Sequence, residues 1–276
     1  MKANKVERPG RGRALAFAAL ALALVAAGTL LGYEKLRAIW LEQCVIEDFE
    51  NQVSIESGTM VKADVIAEEF GLRPGANLAL IDFAAKREAV LHKIPNLRSI
   101  SIVRHMPGRV SIVTEERTPA ARMEMRGSRT VSGRVADAEG VVFMCQRGTR
   151  LLPVVREPSA PGTPPGAKLS GRARAALELL EACRDGEFQD ISILEVDVSS
   201  PDYLLATLGA SYSKLKIAWE GWDGTSTAAS RTSLRRQLTH LAHAMHSSLG
   251  DAAVVWNATD YSKKGRIYAD TKGALK

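Results

Sequence analysis

The chain has 276 residues, room for one large or two ordinary domains, and carries 37 Lys plus Arg against 31 Asp plus Glu. Much of that small basic excess sits at the N-terminus and aromatics are only 5%, which weakens any nucleic-acid reading, since that calls for a basic face with aromatics among it. Cys44, Cys145 and Cys183 have neither metal-ligand spacing nor a disulfide framework; plain buried thiols, or one Cys145–Cys183 bridge in an oxidising compartment, are the readings left.

Residues 1–13 hold Lys2, Lys5, Arg8, Arg11 and Arg13 against one acid, Glu7. Ala14 to Tyr33 then runs uncharged. At about 1.5 Å per helical residue that run spans about 30 Å, the hydrocarbon thickness of a bilayer. Glu34, Lys35, Arg37, Glu42, Glu47, Asp48 and Glu50 follow, so the cationic flank is N-terminal. This predicts a cytoplasmic tail (1–13), one transmembrane helix (14–33) and the remainder outside. A cleaved signal peptide is the alternative, since Ala-Leu-Ala and Ala-Ala-Gly offer small-residue sites. The apolar run is longer than a signal core and no turn residue precedes a clean cleavage site, which favours the retained anchor. Residues 34–50 read as a linker or helical extension, with Tyr33 and Trp40 suited to the outer interface.

From 51 to 117 the elements are compact. Val53-Ser54-Ile55 is a short strand, and Lys62 to Phe70 a short helix ended by Gly71 in the left-handed conformation. Asp82 caps a second helix, on which Phe83, Val90, Leu91 and Ile94 recur at helical spacing. Pro95 stops it. Ile100 and Ile102 alternate with Ser99, Ser101 and Val103, the period of a half-buried strand. Pro107-Gly108 predicts a type II turn with φ > 0 at the glycine, and Val110, Ile112 and Thr114 alternate on the way back. The expectation is a helix packed on an antiparallel hairpin.

After Arg117, residues 120–125, 130–136, 141–145 and 151–155 are strand candidates. Pro153, Pro158, Pro161, Pro164 and Pro165, with Gly162 and Gly166, then read as an exposed loop unable to hold a ladder. A helix follows from Arg172 to Arg184, with Ala173, Ala176, Leu177 and Leu180 on one face. Ile191–Val198, Tyr203–Leu208 and Leu215–Trp219 are strand-like. A second helix, Ser230 to Leu249, stacks Leu234, Leu238, Leu241 and Met245 in one stripe. Ala253–Asn257 and Gly265–Ala269 close a 118–270 sheet domain, before a tail at 271–276. No internal repeat is present.

Motifs for chemistry are sparse. Ser211/Lys214 and Ser213/Lys216 match the Ser-x-x-Lys spacing of penicillin-interacting enzymes, but the stretch alternates like a strand, which turns residues three apart to opposite faces. His240, His243 and His246 share a helix without a carboxylate among them, and a solvated face is the simpler reading. Glu115-Glu116-Arg117 reads as a local charge cluster at a strand end. No catalytic, cofactor-binding or metal-binding residues are assigned.

The wording of two blocks carries more. Arg104-x-x-Pro107-x-x-Val110-x-Ile112-x-x-Glu115-Glu116-Arg117-x-Pro119-x-Ala121 resembles the hairpin of the FtsQ/DivIB bacterial division proteins. So do Asn77-Leu78 with Ile81-Asp82, Leu91-x-x-Ile94-Pro95, and Val135-Ala136-Asp137-x-x-Gly140-Val141-Val142-Phe143 followed by Leu152-Pro153. Asn96 stands where the family has an aromatic, and the family's Asp-Leu-Arg wording of the last strand is absent. The resemblance implies an α+β fold: a transmembrane helix, a POTRA domain (β-α-α-β-β), then a mixed β-sheet domain with two helices. It implies a non-enzymatic inner-membrane scaffold with periplasmic domains, joining early and late septal proteins, including small coiled-coil ones. It implies no cofactor, nucleic acid or small-molecule substrate. Strand edges suit binding by strand addition, and Trp256, Tyr261, Ile267 and Tyr268 are the candidate partner-binding residues near the last edge, with simple core packing the alternative, equally supported for Trp256. Two alternatives are a POTRA-containing secretion or assembly factor, which calls for many barrel strands where fewer than 160 residues follow, and a membrane-anchored envelope enzyme.

Overall fold

The computed structural model describes residues 11–128, 132–158, 162–184, 186–188, 190–209, 211–223, 227–247, 250 and 252–271, without the side chains of 11–19, 21 and 262. The expected tail at 1–10 and the C-terminal residues 272–276 lie outside these, as do residues 130–131 of one expected strand and Ser248-Leu249 of the second expected helix. The chain is α+β and divides into two compact units. The first takes the described residues up to Glu56, then Ala63–Arg87 and Ser101–Val113; the second takes Ser57–Lys62, Glu88–Ile100 and the chain from Thr114 on.

The first unit opens with α1 (Arg11–Gln43), a single helix running through the expected span and its extension. Among the described residues no helix is long and apolar enough to cross a membrane; the side chains of 14–19 and 21, seven of the twenty in the 14–33 run, lie outside the description. Beyond them, Leu22, Leu24, Leu30, Leu31, Leu36 and Ile39 are all exposed. A short turn of helix, α2 (Phe49–Gln52), is capped by the Asp48 carboxylate accepting from the Asn51 N–H. Strand β1 (Val53–Glu56) and helix α3 (Ala63–Phe70) follow. Gly71 has φ +70, and the Leu72 N–H to Ala67 O (2.8 Å) and Gly71 N–H to Glu68 O (2.9 Å) bonds complete the expected helix end.

Helix α4 (Phe83–Lys93) starts at Asp82, whose Oδ1 accepts from the Ala85 N–H at 3.0 Å. It leads to β2 (Leu97–His105) and β3 (Arg109–Glu116), and α4, β2 and β3 each begin in one unit and end in the other. The sheet order is β1-β3-β2, with β1 parallel to β3 in the register Val53↔Val110 to Glu56↔Val113. Val90, Ile100, Val110 and Ile112 are buried as the periodicity predicts, while Leu91 and Ile94 are half-buried. The turn departs from expectation. Met106–Pro107 is cis and Gly108 has no positive φ, so it is not a type II turn. The glycine is required instead by proximity: a Cβ there would lie 2.9 Å from Gln43 O.

The second unit is one nine-stranded mixed sheet. Its strands are β4 (Ala121–Met125), β5 (Arg134–Ala136), β6 (Val142–Met144), β7 (Val154–Glu157), β8 (Ile193–Asp197), β9 (Leu204–Leu208), β10 (Lys214–Ile217), β11 (Val255–Ala258) and β12 (Tyr268–Asp270). They lie in the order β12-β11-β10-β9-β8-β7-β4-β5-β6. Helices α5 (Gly171–Arg184) and α6 (Ala228–Met245) supply Leu179, Leu180, Leu234 and Leu238 to the core formed with Leu204, Ala206, Leu215 and Trp256. The intervening positions hold charges: Glu124 is shared by Arg122 (3.0 Å) and Arg156 (3.4 Å), and Arg156 also reaches Glu195 (2.8 Å). The bond and attraction of Glu195 hold the Arg156 guanidinium above its ordinary pKa.

The cysteines are free and buried, and burial pushes the Cys183 thiol up to about 12. The proline-rich loop corrects its own expectation in part. Val154–Glu157, between its first two prolines, forms β7, paired with β4 on one side and β8 on the other, and its end runs along β6: the Gly166 N–H donates to Val142 O (2.7 Å) and the Val142 N–H to Ala167 O (3.0 Å). The prolines lack donors, whereas Gly166 and the residues after it have them.

Candidate functional site: the C-terminal sheet edge

β11 lies parallel to β10, and β12 returns antiparallel to β11 in the register Val255↔Asp270, Trp256↔Ala269, Asn257↔Tyr268. Between them sits a single helical turn, α7 (Tyr261–Lys264), absent from the sequence reading. Its signals were nonetheless in the chain. Asp260 and Lys264 are four apart and pair at 3.0 Å, and Gly265 closes the turn at φ +64. The hydrogen bond from Lys264 lowers the Asp260 carboxyl pKa, and the same bond raises that of Lys264.

The structure separates the four candidate residues into two pairs. Trp256 is 2% exposed and belongs to the core, and Tyr261 is 7% exposed. The Tyr261 hydroxyl and His240 Nδ1 are hydrogen-bonded at 2.9 Å, and the two rings meet edge to face with centroids 5.2 Å apart. These two residues support the edge from inside and are not available to a partner. Gln237 ties the same region down, its Nε2 donating to Ala258 O (2.6 Å) and Ala218 O (3.2 Å). Ile267 is half-buried, precedes β12 and packs against the core, while Tyr268 is 46% exposed in the strand itself. Around Tyr268 the exposed Lys263, Lys264 and Arg266 form a basic turn that the sequence reading did not single out.

Among the described residues β12 is terminal in the sheet, with β11 its only neighbour. An antiparallel strand alternates residues that bond to their neighbour with residues that point away, so a terminal strand keeps main-chain donors and acceptors open on its far side. Tyr268 in this strand and Lys263, Lys264 and Arg266 just before it are exposed, with Lys264 paired to Asp260.

The other motifs do not assemble a reactive centre. Lys214 Nζ donates to Thr207 Oγ1 at 2.6 Å, and Lys216 sits 5.2 Å over the Tyr203 ring, while Ser211 and Ser213 bond each other at 2.7 Å. His240, His243 and His246 are exposed and diverge, the first to Tyr261 and the third to Asp190 at 3.5 Å. Among the described residues no three His, Cys, Asp or Glu side chains are grouped to hold a metal. The Glu115-Glu116-Arg117 cluster is a structural joint. Glu116 accepts from the N–H groups of Thr59, Met60 and Val61 at 2.7–3.0 Å, and Arg117 pairs with Asp137 at 2.6 Å. Arg98 bridges Glu115 and Glu139, and its hydrogen bond lowers the Glu139 pKa.

Compared with known protein families and with curated proteins, the chain matches none.

Proposed function

We propose that the chain is a non-enzymatic, bitopic scaffold of the bacterial division machinery, of the FtsQ/DivIB type. It is held in the inner membrane by α1 with the N-terminus cytoplasmic and a POTRA domain and β-domain in the periplasm. The observation that carries the reading is the open β12 edge. A protein that works by recruitment needs a surface for other chains, and a free strand edge binds an extended segment through main-chain hydrogen bonds. The sequence resemblance supplies the partner class, small coiled-coil septal proteins. The order β1-α3-α4-β2-β3 supports the POTRA assignment. The apolar run of α1 and the exposed large side chains around it support the anchor, because a helix apolar on all sides belongs in a protein core or a bilayer.

The test is localisation followed by edge disruption. A fluorescent fusion of the full chain should collect at midcell, and an even distribution around the envelope sinks the division reading. Of Tyr268 and Ala269, one has its N–H directed away from β11. Proline at that position should leave the domain folded by circular dichroism and abolish co-purification of the coiled-coil partners. Full co-purification by both folded proline variants removes the edge from the mechanism.

A further inference from the structure

The first unit carries a groove of about 850 Å³ beside β1. Among the described residues β1 is a terminal strand of its sheet, with no strand on its side away from β3; the Val53 N–H is taken by Phe49 O, and the rest of that edge is where further main-chain groups of a terminal strand stay open. Phe49, Val53, Ile55, Ala67 and Leu72 line the groove as apolar surface. Its charged members are Asp64 and Glu68 on α3 and Arg73 beyond the helix end, all three exposed. Asp64 Oδ1 accepts only from the adjacent Val65 N–H at 2.9 Å. Among the described residues the Glu68 and Arg73 side chains have no hydrogen-bond or ion-pair partner. The groove thus joins an apolar floor, an open strand edge and uncompensated charge.

The spacing narrows what fits. Asp64 and Glu68 lie one helical turn apart, about 6 Å along the axis, and two residues of an extended strand span about 6.6 Å. Cationic side chains at alternate positions of a strand laid on β1 therefore meet the two carboxylates in step. Their aliphatic stems cover the apolar floor while the charged heads reach the rim. An acidic segment at the same place would set like charge against like, with only Arg73 to answer it.

We propose that this groove is a docking site for a basic, extended segment of another protein, added as a strand to β1. Lys or Arg at alternate positions engage Asp64 and Glu68, and an acidic residue or terminal carboxylate further along engages Arg73. The site is separate from the β12 edge and does not depend on the membrane or division reading.

The experiment is fluorescence anisotropy on the full chain in detergent micelles. The probe is a labelled seven-residue peptide of alternating Lys and Val. Saturable binding is expected, at least tenfold weaker for the Asp64→Lys/Glu68→Lys protein, whose exposed substitutions leave the circular dichroism spectrum unchanged. The same peptide methylated on alternate backbone nitrogens should also bind at least tenfold more weakly, since it keeps its side chains and loses its strand donors. No binding, equal affinity for a Glu and Val counterpart, or full binding by the charge-reversed protein overturns the docking site. Undiminished binding of the methylated peptide overturns the added strand.

Discussion

At one end of the nine-stranded sheet, β6 is covered: the loop from Gly166 bonds Val142 in both directions, and Asn96 Nδ2 donates to Met144 O at 2.7 Å. At the other end β12 has three residues, one neighbour among the described residues, and an exposed Tyr268. Behind β6, Phe143 is fully buried with Val135 and Cys145; behind β12, Trp256 and Tyr261 are buried in the same way. The two ends differ in what occupies the polar side of the strand, and hardly in how well the strand is anchored. An edge left open invites aggregation unless it is short or charged, and β12 is both, with Lys263, Lys264 and Arg266 beside it. The covered end is finished by the chain itself. The open end is short and charged, which discourages indiscriminate pairing.

The largest effect that can break this comparison is at the covered end. Phe143 has no exposed surface, so Phe143→Ala should lower the unfolding free energy by about 3–5 kcal/mol through lost burial and a cavity. Urea titration with an unchanged slope is the measurement, and a change within about 0.5 kcal/mol, the range of ordinary surface substitutions, would show that Phe143 does not anchor β6 as Trp256 and Tyr261 anchor β12.

A smaller effect tests the cover. Gly166 has φ +87, and any side chain there meets backbone strain of about 1–3 kcal/mol. Gly166→Ala should therefore destabilise by that amount and speed hydrogen exchange at the Val142 amide, which donates to the loop. Exchange at Val142 as fast as at Tyr268 in the unmodified protein would mean that the cover does not hold.

The smallest stability effect belongs to the open end. Tyr268→Ala should change stability by less than about 0.5 kcal/mol, as surface substitutions do, while reducing co-purification of the proposed coiled-coil partners severalfold. A loss of stability comparable to Phe143→Ala would make Tyr268 a structural residue and leave the edge without its apolar contact.

Much of the local structure was legible in the chain. Asp82 as a cap, Gly71 as a helix end, the alternation through Ile112 and the stripe of Leu234, Leu238 and Leu241 all depend on groups within a few residues of one another. Hydrogen bonds from i to i+3 or i+5 and the period of side-chain direction fix them before any long-range contact forms. Tertiary structure decided the rest. Trp256 and Tyr261 resembled partner-facing aromatics in the sequence, and α6 buries one while His240 engages the other. Gly108 looked like a turn glycine, and the backbone of Gln43 is what excludes a side chain there. The proline-rich loop looked free until β6 offered Val142 as a partner for Gly166 and Ala167. Which strand ends a sheet, and which edge is then covered, depends on residues far apart in the chain. No local periodicity encodes that order, because it is set by how separate elements share one core.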